Sequence, residues 1–311
     1  MTKEKLLKVT EPSVCAICHR KVVRYTTVKM ALCDNYIDEQ VNVYAHPSCA
    51  RRYVKGEVTI MLEHYVNEAI KWGDSSSSTM EDDVVRQKEV ELISSFIGTI
   101  ADKSIIVDVG CGNGYTLEVL SKVFPSHHYW GLDLTPELLA IAKNRSLSNC
   151  KFALRSVHSL PFETNILDVV FTERCLTNVL TWSGQLEALN EIYRVLRPGG
   201  YYLMIECFTN GLDNNNRARL ECGLTELKAV SFNNYIDKEL FLDYVMGKFI
   251  IEEALVPYNF LSSHYFIARV LYALVTRGEQ VKNTDFVKFF SFLPPIGNYS
   301  QIQAYVLRKV L

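Results

Sequence analysis

The segment VDVGCGNG, residues 107–114, constrains the fold of this chain more than any other. An apolar run ends there in glycines at positions 110, 112 and 114. A strand followed by a glycine-rich turn lets a ligand approach the main chain closely, and the next helix offers its free backbone N–H groups. We therefore expect a nucleotide-like ligand at this turn.

Segments that suit strands alternate with segments that suit helices from residue 85 onward, which predicts a mostly parallel sheet with helices on both faces. The predicted strands are SIIVDV, HYWGLDL, KFALRS, LDVVFTE and YYLMIECF, with KFIIEEALVPY and IQAYVLRKV as the last two. Ligands of such sheets bind at the carboxyl ends of the strands, where the glycines lie.

Further motifs follow the glycine turn at related intervals. Asp133, in GLDL, comes 25 residues after Asp108, where an acid can accept both hydroxyls of a ribose. VHSLPF and LRPGG come next along the chain. Together, over about residues 85–210, these motifs resemble class I S-adenosylmethionine-dependent methyltransferases. The resemblance implies a Rossmann-like α/β fold with a seven-stranded sheet, and methyl transfer from that cofactor.

The resemblance also implies cofactor contacts. The loop that would cradle the methionine and ribose portions comprises Asp108, Gly110, Cys111, Gly112 and Gly114. Asp133 would bind the ribose, and Leu134, Ser156 and Val157 would contact the adenine. Thr172 would lie next to the transferred methyl group. Ser156 stands where the family commonly has an aspartate.

A hydroxyl acceptor would need a general base in addition to the bound cofactor. Three residues are candidates: Glu173, just after the fourth strand; His158, which could instead pack against adenine; and His264, in a distal segment expected to cover the cleft. Glu173 and His264 are ranked equal.

Four residues near the N-terminus have the spacing of zinc ligands: Cys15, Cys18, His46 and Cys49, in CAIC and HPSC. Cys33 or His19 could substitute for one of them. The pattern is similar to treble-clef fingers of the poly(ADP-ribose) polymerase type. Four protein ligands leave no position for water, so a structural role is expected.

Composition shifts divide the chain. We predict a zinc-binding module with a trailing helix at 1–72, a serine-rich linker at 73–84 and a methyltransferase domain at 85–311. Within that domain, residues 209–240 are expected to be polar and then helical, forming either a substrate-binding insertion or a plain surface connection. Residues 258–298 are expected to form a C-terminal cap.

The whole chain is nearly balanced in charge, with 33 Lys plus Arg against 35 Asp plus Glu. We expect no signal peptide and no membrane span, and a reducing, cytoplasmic location that leaves the cysteines for metal. The oligomeric state is left open.

Three functions compete. The preferred one is methyl transfer to a hydroxyl or amine of a small molecule or glycan, because charge is balanced and the C-terminal segment is rich in apolar and aromatic residues. The second is ribosomal RNA methylation with the zinc module as a docking element, since some RNA guanine methyltransferases have a similar layout. The third is a zinc adaptor that binds S-adenosylmethionine without catalysis.

Overall fold

A computed structural model describes residues 26–34, 37–45, 57–277 and 283–310. For residues 26–34, 37–45, 57–60 and 62 only the backbone is described. The predicted zinc ligands Cys15, Cys18, His46 and Cys49 lie outside the described residues, as does His19, and the side chain of Cys33 is not described.

A two-stranded antiparallel hairpin stands near the N-terminus. Strand β1 runs over Thr26–Asp34 and β2 over Ile37–Ala45, with Thr26 opposite Ala45 at the open end of the hairpin. The hairpin therefore lies between the two predicted pairs of zinc ligands in the sequence.

The larger sheet has seven strands in the order β5-β4-β3-β6-β7-β9-β8. Neighbouring strands from β5 to β7 are parallel, and β9 is antiparallel to both β7 and β8. The mostly parallel seven-stranded sheet predicted from the sequence is confirmed. Its strands are β3 (Ile105–Val109), β4 (His128–Asp133), β5 (Cys150–Leu154), β6 (Leu167–Glu173), β7 (Leu196–Cys207), β8 (Phe249–Ile251) and β9 (Ile302–Lys309).

Helices cover both faces of this sheet. Successive residues of a strand point to opposite faces, so Ile106 packs in one apolar cluster and Val107 in the other. The α-helices are Glu57–Trp72, Asp83–Ile97, Tyr115–Val123, Pro136–Asn144, Trp182–Val195, Thr209–Glu221, Lys238–Val245, Ser262–Phe266, Tyr272–Val275 and Asp285–Phe290. A 3-10 turn spans Leu176–Asn178, and a π-helical stretch, Ile267–Leu271, joins two of the C-terminal helices.

The order of structure within residues 209–240 is the reverse of the expectation. The asparagine-rich first half forms the helix Thr209–Glu221, and most of the following residues to 237 are irregular. Side-chain amides explain the difference: Asn214 and Asn215 donate to the carbonyls of Asn298 and Tyr299. Tertiary hydrogen bonds thus offset the weak helix propensity of asparagine.

The segment 258–298, expected to form a C-terminal cap, contains the short helices Ser262–Phe266, Tyr272–Val275 and Asp285–Phe290 among its described residues. Within the described ranges, no helix is long and apolar enough to cross a membrane.

Candidate cofactor cleft

The glycine turn leaves β3 at the carboxyl edge of the sheet, and all three of its glycines have left-handed backbones. Their φ angles are +87° at Gly110, +53° at Gly112 and +75° at Gly114. The backbone N–H groups of Gly110 and Cys111 both donate to the Leu132 carbonyl, at 2.7 and 3.0 Å, which fastens the turn to β4.

The three glycines are required for different reasons. A Cβ at Gly110 would lie 2.9 Å from the Cβ of Cys175, and one at Gly114 would lie 2.9 Å from the Cβ of Ala142. At Gly112 the nearest atom would be a Thr79 methyl at 4.0 Å. The outer glycines therefore permit close packing, whereas Gly112 faces open space.

Asp133 holds the middle of the turn. Its Oδ2 accepts from the Gly112 N–H at 2.9 Å, and its Oδ1 accepts from the Thr135 N–H at 2.7 Å. Burial raises the pKa of this carboxyl. Each carboxylate oxygen has a second lone pair that can still accept a ligand hydroxyl.

Asp108 lies on the floor of the same region. It is buried, and its Oδ1 has no hydrogen-bond partner. Burial, then the neighbouring charges of Glu173 and Asp133, raise its pKa well above the ordinary value. A buried carboxyl oxygen without a partner is costly unless a ligand supplies one.

Glu173 and Arg86 form an ion pair across the cleft. The Glu173 Oε2 lies 2.8 Å from the Arg86 Nη1, while the Glu173 Oε1 has no hydrogen-bond partner. Beside them Arg174 pairs with Glu89, whose pKa is raised by burial. Both residues of the first pair line a cleft of about 310 Å³ that also includes the glycine turn and Thr79.

The serine-rich residues 73–82, expected to be a linker, do connect two helices, but they are packed over the glycine turn. The Asn113 amide donates to the carbonyls of Gly73 and Ser75, both at 2.9 Å. Arg86 donates to the carbonyls of Ser76 and Ser78, at 3.1 and 3.0 Å. We call residues 73–82 the serine flap, because they form one wall of the cleft.

Removing the donors of Asn113 should loosen the serine flap. Asn113→Asp keeps the side-chain oxygen that accepts from the Tyr115 N–H but loses both bonds to the flap carbonyls. Two lost hydrogen bonds of about 1 kcal/mol each should speed amide exchange in residues 73–79 by about 30-fold. Exchange measured by mass spectrometry checks this.

Asn149→Asp is the matched control for the flap, because the Asn149 amide also donates to two carbonyls, those of Pro125 and His127. This variant should leave exchange in the flap unchanged. Equal exchange in the flap of Asn113→Asp and wild type would show that Asn113 does not hold it.

His158 and its neighbours lie outside the cleft lining. The His158 Nε2 is 3.1 Å from the Gly184 carbonyl, and its Nδ1 is 3.1 Å from the Ser156 hydroxyl. A carbonyl only accepts, so Nε2 carries the proton and Nδ1 accepts from Ser156. Ser156 and Val157 are themselves buried. Both ring nitrogens of His158 are thus engaged in holding the chain.

His264 is buried and contacts the residue that caps a helix. Its Nε2 is 3.1 Å from the Oδ2 of Asp82, and Asp82 caps the helix Asp83–Ile97 by accepting from the Val85 N–H. The structure therefore places His264 behind the serine flap, and it is not one of the residues that line the cleft.

Of the other residues predicted to contact the cofactor, some lie at the cleft and some are buried away from it. Cys111 lines the cleft, and Leu134 is 40% exposed next to Asp133. Thr172 is fully buried, with its hydroxyl 2.9 Å from the Tyr202 hydroxyl, so its side chain lies inside the sheet packing. Within the described part of the chain, no group of three or more His, Cys, Asp or Glu side chains could hold a metal ion.

Comparison with known proteins supports this site. Residues 106–200 match the family described as "Methyltransferase domain". An uncharacterised methyltransferase of Schizosaccharomyces pombe is 35% identical over 106 residues, covering 31% of this chain and 37% of that protein. Demethylmenaquinone methyltransferase of Lactococcus lactis is 37% identical over 106 residues, covering 32% of this chain and 41% of that protein.

The chain thus spans about two fifths of the length of these curated relatives. Among solved structures, geranyl diphosphate C-methyltransferase from Streptomyces coelicolor is 14% identical, with a TM-score of 0.48 and coverage of 72% of this chain and 78% of that one. The family match spans β3 to the start of β7 and includes the glycine turn and Asp133. Residues 106–200 are therefore similar to a methyltransferase domain.

Proposed function

We propose that this chain is an S-adenosylmethionine-dependent methyltransferase. The observation that carries the proposal is the geometry at Gly112, whose N–H is held by the Asp133 carboxylate beneath an open cleft. Ribose hydroxyls fit the free lone pairs of that carboxylate. The unpartnered Oδ1 of Asp108 fits a donor such as the amino group of the cofactor.

The cleft holds charges of both signs, as does S-adenosylmethionine. Two acids, Asp108 and Glu173, and two arginines, Arg86 and Arg174, line it. Asp133 lies beside it, bonded to the Gly112 N–H. Attraction between opposite charges is strong where water is excluded. S-adenosylmethionine carries a positive sulfonium, which activates its methyl group for transfer.

The residues of the chain would bind, orient and exclude water. Asp133 and the glycine turn would hold the nucleoside, and the serine flap would shield the cleft from solvent. Of the three candidate bases, Glu173 is the one that lines the cleft. Its Oε1 has no hydrogen-bond partner and could accept a proton from an acceptor hydroxyl while Oε2 stays paired with Arg86.

We propose a hydroxyl or amine of a small molecule or glycan as the methyl acceptor. The near balance of charge over the whole chain, 33 Lys plus Arg against 35 Asp plus Glu, favours this class over a nucleic acid. Relatives named for demethylmenaquinone and for malonyl-[acyl-carrier protein] as substrates agree with an acceptor other than RNA.

Label transfer tests the proposal. Purified chain is incubated with methyl-labelled S-adenosylmethionine and cell extract, and the extract is then separated into RNA, protein, glycan and small-molecule pools. Label in a small-molecule or glycan pool supports the proposal. Label in RNA that is lost with Cys15→Ala would favour the docking alternative, and cofactor binding without label in any pool would favour the non-catalytic adaptor.

We further propose that residues 1–72 form a structural zinc module, with Cys15, Cys18, His46 and Cys49 as ligands and with a trailing helix that packs against the domain at 85–311. The hairpin supports this assignment. Its register sets Thr26 opposite Ala45, so His46 directly follows the end of β2 while Cys18 lies eight residues before the start of β1. Antiparallel pairing thus places side by side the two strand ends that the ligand pairs flank in the sequence.

Purified wild-type protein should contain about one zinc per chain, since four ligands suffice for a tetrahedral site. Cys15→Ala and His46→Ala should lower that content, measured by elemental mass spectrometry. Cys222→Ala removes an exposed thiol outside the module and should leave zinc unchanged. Wild-type protein free of zinc after purification without chelators would contradict the assignment.

A further inference from the structure

The helix Glu57–Trp72, which trails the predicted zinc module, packs against the methyltransferase domain beside the cleft. It contacts the helix Pro136–Asn144, which follows Asp133. Its Glu68 carboxylate accepts from the N–H of Thr79, a residue that lines the cleft. The helix therefore supports both the nucleoside side of the cleft and the serine flap.

Tyr65 of this helix reaches the loop after β6. Its hydroxyl accepts from the Asn178 amide at 2.7 Å, and that amide also donates to the Arg174 carbonyl at 3.0 Å. The 3-10 turn that carries Asn178 is held rigidly, because the buried Glu206 carboxylate accepts three consecutive backbone N–H groups, those of residues 175, 176 and 177.

The order of strands fixes where the Tyr65 hydroxyl lies. Burial raises the pKa of Tyr65 to about 12, and smaller effects of opposite sign come from Arg174 and Asp133, so both side chains are close to it. Asp133 ends β4 and Arg174 follows β6, while β3 lies between those two strands. Asn178, which bonds the hydroxyl, also donates to the carbonyl of Arg174, a residue that lines the cleft, so the hydroxyl lies at the same edge of the sheet as the glycine turn.

Two polar atoms at this point can each form a further hydrogen bond. The Tyr65 hydroxyl accepts a bond, and no acceptor for its proton is found among the described residues. The Oδ1 of Asn178 is buried and has no hydrogen-bond partner. With its raised pKa, Tyr65 stays a neutral donor near pH 7. One donor and one acceptor side by side fit a ligand that carries both.

We propose that Tyr65 and Asn178 form a donor–acceptor pair that contacts bound S-adenosylmethionine, so that the helix of the N-terminal segment completes the cofactor site. This inference rests on the proposed function. S-adenosylmethionine carries an acceptor and a donor together both at its ribose and at its amino-acid end. The N-terminal segment thereby contributes directly to cofactor affinity.

Tyr65→Phe tests this pair, with S-adenosylhomocysteine titrated into the full chain by calorimetry as the probe. Losing one hydrogen bond to a polar ligand should weaken binding about tenfold. Tyr244→Phe is the matched control, because the Tyr244 hydroxyl likewise bonds an asparagine, Asn190, at 3.0 Å, but between the helices Lys238–Val245 and Trp182–Val195. It should bind the probe as wild type does.

Thermal unfolding of both variants separates binding from folding. Each loses one tyrosine–asparagine bond, so similar small losses of stability are expected from both, whereas only Tyr65→Phe should lose affinity. Affinity of Tyr65→Phe within twofold of wild type would overturn the inference and leave the proposed function intact. If wild type itself fails to bind S-adenosylhomocysteine, the proposed function fails.

Discussion

Replacing Asp133 with alanine should lower the affinity for S-adenosylhomocysteine by at least about 100-fold. The carboxylate accepts from the Gly112 and Thr135 N–H groups and, in the proposed complex, from the ribose. Hydrogen bonds to a charged group contribute about 1.5–3 kcal/mol each, and 100-fold corresponds to about 2.7 kcal/mol. Isothermal titration of the full chain measures the change.

Asp168→Ala is the control for this experiment. The Asp168 carboxylate also accepts a backbone N–H of β3, that of Ile105, at 2.8 Å, and it pairs with Arg197. Ile105 is the first residue of β3, at the opposite edge of the sheet from the cleft. This variant should lose stability and keep its affinity. Equal affinity of Asp133→Ala and wild type would show that the nucleoside does not bind at Asp133.

Gly211→Ala should reduce the free energy of unfolding by about 3 kcal/mol, at the upper end of the range for overpacked substitutions. A Cβ at this position would lie 1.9 Å from the Ser300 carbonyl oxygen and 2.6 Å from its carbon. These are backbone atoms of the chain entering β9, which cannot turn aside as a side chain would. The helix Thr209–Glu221 would have to move away from the sheet. Urea unfolding measures the loss.

Gly223→Ala provides the comparison for that loss. Gly223 has a φ of +72°, but no atom lies within 4 Å of its would-be Cβ. Only the cost of a left-handed alanine is expected there, about 1 kcal/mol. Equal losses in the two variants would mean that the helix does not approach Ser300 as closely as described.

Much of the methyltransferase domain could be predicted from local patterns. Alternating apolar segments indicated the seven strands, and their parallel order followed from the helices between them. The spacing of Asp108, Gly110, Gly112, Gly114 and Asp133 indicated the cleft, since each stands at the carboxyl end of a strand. The carboxyl ends of parallel strands meet at one edge of the sheet, whatever the sequence of the segments that connect them.

Other residues of the site could not be predicted in this way. Arg86 and Asn113 donate hydrogen bonds to the serine flap, and Tyr65, proposed to contact the cofactor, accepts one from Asn178, 113 positions away in the sequence. Arg86 and Tyr65 lie outside any recognisable motif, and the serine composition of the flap suggested a solvated linker. The hydrogen bonds that order the flap are accepted by its backbone carbonyls. Every residue has such a carbonyl, so the sequence gives no sign of these bonds.

The same distinction separates the three candidate bases. Glu173, His158 and His264 are equivalent as residue types, but one lines the cleft, one holds Ser156 to the Gly184 carbonyl, and one supports a helix cap. The sequence by itself determined which segments form strands and the turn that presents Gly112 to a ligand, because glycine conformation and apolar periodicity are local properties. Only the tertiary structure decided which charged and polar side chains surround that turn, because their partners come from distant segments that folding alone brings together.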